Sequence, residues 1–469
     1  MAKTKYKKTK ITLIIILVLL IASGVLLKMR WSAWFANSPE DPYIVPDSIA
    51  RVTIVPGQAF ETERTVSWLC GEEERPATLA FRALKDSLVD MAWQVIEASG
   101  DVIRSRSGQG AYYHAHLSRL TPGEVYQLRL RVGEDHEKVL SMAMPAMLDS
   151  VMNFVYLGDV QDPDGEMSTA LFDLFREQAG SVRPDFFALA GDQIEGPTDE
   201  YWRVWYDSWK GYTDEMPMIV STGNHEYLKK GFARELDPRW VPQYNYPANG
   251  PEDFEGRSYY VDFPLARFVV IDSNGINSPS DIWNHRAWLK EVLKASTQPW
   301  QIVMYHHAVH CVRAGRSHPV MQYIFKPILV EYGADLVLQG HDHAYSRITT
   351  PAEDGGRTAP VYLISCSSPK LYRNGFAPIH DRLGSGIQLY QTVRVTPDTI
   401  HYTSLQYTGE VYDELVLARE AGTGKITVTD KATHIPELFL FDNFSSSKKG
   451  QKKAKAYADA VEKRLKSRS

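Results

Sequence analysis

Hydrophobic and polar positions are patterned in three different ways along the chain. Residues 11–27 are apolar and carry no charge. Between 50 and 147, short runs of period two at 50–55, 65–69 and 125–132 are separated by turn clusters at Pro56-Gly57, Ser99-Gly100-Asp101 and Pro122-Gly123. That spacing over about 100 residues predicts an all-β sandwich. Near 150 the pattern changes again. Uniformly apolar runs at 153–157, 186–190, 218–221, 268–271, 301–305 and 336–338 now alternate with helical stretches, as in an α/β core. Trp202, Trp205 and Trp209 recur at i, i+3 and i+7, predicting a helix packed on the sheet. Runs at 361–365 and 388–395 read as strands completing a sheet, and 396–440 as short strands and turns. A helix over 454–465 lies in a basic, solvated tail.

The first run is long enough, at about 1.5 Å per residue, to reach nearly across a ~30 Å hydrocarbon core. Lys3, Lys5, Lys7, Lys8 and Lys10 precede it, and Trp31, Trp34 and Phe35 follow as interfacial anchors. This predicts a cytoplasmic basic segment over 1–10, a transmembrane signal anchor over 11–30 and a linker over 31–48. Everything after the anchor is then exported to the periplasmic or extracellular side. A signal peptide cleaved at Ala22-Ser23-Gly24, with secretion, is the alternative; apolar Val25, Leu26 and Leu27 beyond that point weigh against it.

Composition narrows the picture. The chain has 469 residues, of which 44% are hydrophobic and 23% charged, so disorder and coiled coil are excluded. A net charge of −5 hides an uneven spread, because both ends are basic and the body between them is strongly acidic. An acidic body argues against a nucleic-acid partner. Three scattered cysteines give neither a disulfide framework nor a Cys-based zinc site.

Polar residues follow the apolar runs of the α/β region in five short elements. These are Gly158-Asp159-Val160-Gln161-Asp162, Gly191-Asp192-Gln193-Ile194-Glu195, Gly223-Asn224-His225-Glu226, Tyr305-His306-His307 and Gly340-His341-Asp342-His343. The first three fall about one strand–helix–strand unit apart, so their polar residues meet at one edge of a sheet. Any one Gly-Asp or Gly-Asn pair alone reads as a turn. Carboxylate, amide and imidazole together suit zinc, iron or manganese. The set is large enough for two ions bridged by a carboxylate.

The five elements resemble the calcineurin-like metallophosphoesterase signature. The version they are most similar to is that of purple acid phosphatases, whose last motif often reads as Gly340–Tyr345 does here. The resemblance spans about 50–405. It implies a four-layer αββα sandwich over 149–410, preceded by a fibronectin III-like β-sandwich over 49–148 and followed by an extension over 411–469. It implies that one metal is held by Asp159, Asp192 and His343, and a second by Asp192, Asn224, His306 and His341. His225 would face the phosphate, and a metal-bound hydroxide would attack phosphorus. The implied activity is hydrolysis of phosphorylated small molecules, as phosphomonoesters. A phosphodiesterase or nucleotide pyrophosphatase on the same site and a non-catalytic cell-surface binding protein are the alternatives.

Two positions depart from the family pattern. Gln161 stands where a histidine ligand is usual and is kept as a weaker ligand, with Asp162 as a substitute. Glu195 stands where the purple enzymes place their tyrosine. Alternation along a strand allows only one of His306 and His307 to ligate, and His306 is chosen. His310 and His318, in the loop that follows, are the candidates for protonating the leaving group.

Overall fold

The computed structural model describes residues 2–84, 92–178, 184–231 and 233–468. A helix, Ala2–Phe35, opens the chain. Within it Thr12–Trp31 has mean hydropathy 2.6 and no buried residues. Its 20 residues rise about 30 Å, enough to cross a bilayer. A signal anchor and a signal peptide meet that test equally.

Strands from Ala50 to Ala143 form two antiparallel four-stranded sheets. Alternate residues point inward, so Val66, Trp68, Leu79, Tyr113, Leu128 and Leu130 close a core between the sheets. The expected sandwich is present.

The α/β half is built on two seven-stranded sheets. In one, Met152–Leu157, Phe186–Leu189 and Met218–Val220 are parallel neighbours, extended by the antiparallel strands Leu389–Val395, Thr399–Gln406, Val411–Arg419 and Ile426–Asp430. In the other, Ala266–Val270, Trp300–Met304, Leu336–Gln339 and Arg357–Ile364 run parallel. The inner faces share Phe154, Phe186, Phe268, Ile302, Leu336 and Leu363 in one core. Helices Asp199–Ser208 and Glu166–Gln178 cover the first sheet, with Trp209 edge-on to Phe172 and Phe187. Pro279–Lys294 and Lys326–Glu331 cover the second through Leu289, Val292, Ile328 and Leu329. This is the four-layer order expected, and the three tryptophans pack as expected: Trp202, Trp205 and Trp209 are all buried.

Two segments are held more firmly than their sequence suggests. Within the expected linker, the Asn37 amide donates to the Lys229 carbonyl (3.0 Å) and accepts the Lys229 N–H (2.8 Å). Glu40 is buried against Arg239 (2.7 Å), which also binds Asp199 (2.6 Å) and Asp237 (2.7 Å). Arg51, on the first sandwich strand, pairs with the same Asp199 (2.8 Å). This buried ion cluster ties linker, sandwich and α/β half together. Beyond 410, two strands extend the first sheet, and the helix Lys448–Lys466 docks rather than floats. The Tyr457 hydroxyl donates to Asn374 (2.7 Å), and Arg464 pairs with Glu437 (2.8 Å).

Candidate metal centre

The motif residues lie just past the carboxyl ends of five strands. Asp159 follows Met152–Leu157, Asp192 follows Phe186–Leu189, and Asn224 follows Met218–Val220. His306 follows Trp300–Met304, and His341 and His343 follow Leu336–Gln339. Parallel neighbours bring these ends to one edge of each sheet, and the two edges face each other.

The turns there are tight. Asp159, Asp192, His341 and His343 all have positive φ, at 51°, 50°, 77° and 46°. Such conformations cost about 1–3 kcal/mol each for residues with a side chain and persist only where the surroundings hold them. Crossed hydrogen bonds do so: Asp159 accepts the His341 N–H (2.8 Å), and Asp192 accepts the His225 N–H (2.9 Å). Gly223 is required by close approach, since a Cβ there would lie 2.1 Å from the Asp192 nitrogen.

Among the described residues, two donor groups joined by a carboxylate result, beside a third made of His307, His318 and His341. Asp192, His306 and His341 form one and Asp159, Asp192 and His343 the other, each with its ligand atoms within 4.8 Å of one another. Asp192 belongs to both. His306 donates from Nδ1 to the Ala190 carbonyl (2.9 Å), which aims Nε2 at Asp192 (3.3 Å), Asn224 Oδ1 (3.3 Å) and His341 Nδ1 (3.0 Å). Ligand atoms about 2.1 Å from a shared tetrahedral ion would be about 3.4 Å apart, so the set fits a metal. Asp159 Oδ2 and Gln161 Oε1 are buried without a protein partner, as ligand or solvent-facing atoms of such a site would be. Gln161 otherwise only approaches Asp192, at 3.5 Å.

The electrostatics agree. Burial alone would lower the pKa of His306, but Asp192 and Asp159 hold it up at about 9, so the place favours positive charge. Burial pushes Asp159 up to about 8, with His306 opposing. At Asp192 burial also pushes up, yet His306 and His225 bring it below the usual carboxylate range. Burial, then neighbouring charge, lowers His341, and burial brings His343 down to about 3, so their lone pairs are available to a cation.

Around this cluster lie residues of unequal fate. His225 donates from Nδ1 to the Glu195 carbonyl, and its Nε2 accepts from Lys370 Nζ (3.4 Å) while lying 3.9 Å from Asp192. The Glu195 carboxylate turns to Lys370 (2.7 Å). His318 packs tilted against His307, with ring centroids 4.3 Å apart, and lies 5.0 Å from the His341 ring. His310 is not brought to the cluster: it accepts from Lys326 Nζ (2.9 Å) and packs near Tyr362. Three residues of the site were not expected. His307 lines the cavity, because the strand ends at Met304 and alternation no longer governs it. Lys370 has no sequence signal. Glu226 lay within a motif, and its carboxylate accepts backbone N–H groups from Gly223 (2.6 Å), Gln193 (2.7 Å), Asp192 (3.1 Å) and Ile194 (3.3 Å), joining two ligand turns.

The cluster floors a cavity of about 820 Å³. Its walls include Arg106, Lys229, Arg234 and Arg316 against the carboxylates Asp192 and Glu195. Arg316 is fixed by the His341 carbonyl (2.7 Å) and Asp342 (3.0 Å).

Ligand turns at facing sheet edges around a shared carboxylate suit a metallophosphoesterase. Residues 152–345 match the calcineurin-like phosphoesterase family, so the chain carries a phosphoester hydrolase domain of that class. More particularly, its relatives include purple acid phosphatases. It is 28% identical to purple acid phosphatase 17 of Arabidopsis thaliana over 50% of this chain and 73% of the relative. It is 29% identical to purple acid phosphatase 1 of Ipomoea batatas over 34% of this chain, and 28% identical to the Fe(3+)-Zn(2+) purple acid phosphatase 12 of Arabidopsis thaliana over 30%. These two matches span only 38% and 32% of the relatives' lengths. Among solved structures, purple acid phosphatase PPD1 from yellow lupin (Lupinus luteus) shares the fold, with TM-score 0.64 at 16% identity over 80% of this chain and 75% of that one. PhoD shares it with TM-score 0.58 at 12% identity, over 91% and 100% of the two chains.

Proposed function

We propose that the protein hydrolyses phosphomonoesters with a pair of divalent or trivalent metal ions, as a membrane-anchored enzyme acting on the exported side. One observation carries this reading: two ligand groups share the single carboxylate of Asp192. Asp159, Asp192 and His343, with Gln161 beside them, would hold one ion. Asp192, Asn224, His306 and His341 would hold the other. Bound there, such ions lower the pKa of water and neutralise charge on a phosphoryl group.

The chain's own residues supply the rest. Ala190 fixes the His306 ring, and Glu226 holds the Asp192 and Asn224 turns in register. Lys370, held by Glu195, and His225 lie together beside Asp192, where they can bind phosphoryl oxygens. His307 and His318 flank the cluster beside His341 and can hold or pass a proton to the leaving oxygen. The basic tracts and the apolar helix support anchoring.

The test is turnover by the full-length, detergent-solubilised protein of an aryl phosphomonoester and a bis-aryl diester, before and after chelation. The account expects monoester turnover that chelator abolishes and zinc, manganese or iron restores. A strong diester preference would move the reading to a phosphodiesterase. Chelator-resistant turnover would remove the metal pair.

A further inference from the structure

The cavity is lined not only by catalytic-half residues but also by Asn37, Ser38 and Pro39, which lie immediately after the apolar helix. The candidate span ends at Trp31 and the helix at Phe35. From Trp31 to Phe35 the chain rises about 6 Å, and two further residues add at most about 7 Å. Asn37 therefore lies within about 13 Å of the end of the apolar span. The headgroup layer on each face is itself roughly 5–8 Å thick.

This short stalk is not free to swing. Asn37 is bonded on both sides to Lys229, and the Glu40 side chain is 4% exposed in its ion pair with Arg239. Arg106 also donates to the Ser38 carbonyl and to Pro197 (2.8 Å). The rim of the cavity is thus fixed to the chain where it leaves the helix. On the same rim, the hairpin formed by Tyr227–Lys230 and Ala233–Leu236 presents Lys229 and exposed Arg234.

We propose that the cleft opens onto the bilayer surface that anchors the chain, and that its substrate is a phosphomonoester carried on a membrane lipid. The headgroup rises past Asn37, Ser38 and Pro39 and between Lys229 and Arg234 to reach the metal cluster. In the reaction a water oxygen forms a bond to phosphorus and the bond from phosphorus to the lipid oxygen breaks. A proton from that water ends on the lipid oxygen, releasing a lipid alcohol and orthophosphate. The inference rests on the phosphoesterase reading and on the anchored reading of the helix. A fixed, short stalk holds the site at high effective concentration toward substrates in its own membrane.

The test uses full-length protein reconstituted with zinc or manganese into phosphatidylcholine vesicles doped with phosphatidic acid. A short-chain, water-soluble phosphatidic acid and an aryl phosphate are assayed beside it. Wild-type protein should favour the vesicle-borne ester over the short-chain one by about tenfold or more. A rigid helical insert between Phe35 and Ala36, raising the domain by about 20 Å, should abolish that preference and leave aryl phosphate turnover unchanged. Equal turnover of the two lipid esters by wild type, or an insert without effect on vesicle turnover, overturns the proposal. If the insert also loses aryl turnover it is misfolded, and the wild-type comparison decides alone. No turnover of any ester defeats the phosphoesterase reading instead. Release from membranes by salt, with a mature N-terminus near Val25, defeats the anchor and this inference with it.

Discussion

Glu226 offers a sharp test of how the metal centre is held. Its Oε2 accepts from Gly223 and Asp192, and its Oε1 from Gln193 and Ile194. Burial and the nearby charge of Asp192 push its pKa up, while these N–H donors pull it down. Glu226→Gln keeps the shape but leaves one acceptor oxygen. Whichever way the amide turns, two backbone N–H groups face an NH2 group. A buried donor left without its acceptor costs about 1–3 kcal/mol, so two such losses cost about 2–6 kcal/mol. Both affected turns carry ligands, so metal affinity should fall about 10–100-fold, as for other groups that orient metal ligands. Denaturation midpoints of the detergent-solubilised protein with and without zinc, together with zinc titration, measure both effects. A loss under about 1 kcal/mol with unchanged affinity would refute the idea that this carboxylate holds the turns in place.

Other expectations can be checked in parallel. His318→Ala should slow hydrolysis of alkyl phosphates at least about tenfold more than that of aryl phosphates, whose leaving groups need no proton; equal losses would remove His318 from that role. Asp335 is 5% exposed, and burial raises its pKa from 3.8 to about 7 against the Gln301 N–H and Arg419. Below about pH 4 both folded and unfolded chains hold that proton, between about 4 and 7 only the folded chain does, and above 7 the fold carries a buried charge, so this group's contribution to stability falls from pH 4 to 7. Asp335→Asn should therefore raise the melting midpoint relative to wild type at pH 8 more than at pH 5, and a pH-independent difference would contradict the shift. Iron-loaded protein should be colourless or pale, because Glu195, paired with Lys370, stands where the purple enzymes place a phenolate; a strong visible band in active protein would show a tyrosine on the metal.

Much of the fold and the meeting of the five motifs at one place were legible because they are local. The apolar runs became strands within a residue or two, and the polar residues that end them met at one edge, as parallel topology requires. What the sequence concealed depends on distant partners. Lys370 reaches Glu195 across 175 positions, and Arg239 reaches Glu40 across 199, so one acidic side chain of a stretch that reads as linker is in fact buried. His310 looked equivalent to His318 in the same loop. Only packing separates them, since Lys326 on the following helix claims one and His307 the other. That His307 also lines the cavity was not legible, because the strand ends at Met304 and alternation does not extend past it.

The central claim is that Asp192 bridges two catalytic ions, and the most direct measurement is metal content and turnover of Asp192→Asn beside wild type. The account predicts two ions per wild-type chain, at most one in the variant, and a fall in phosphomonoester turnover on the order of 10³ or more. A variant that retains both ions and near-normal turnover would contradict it.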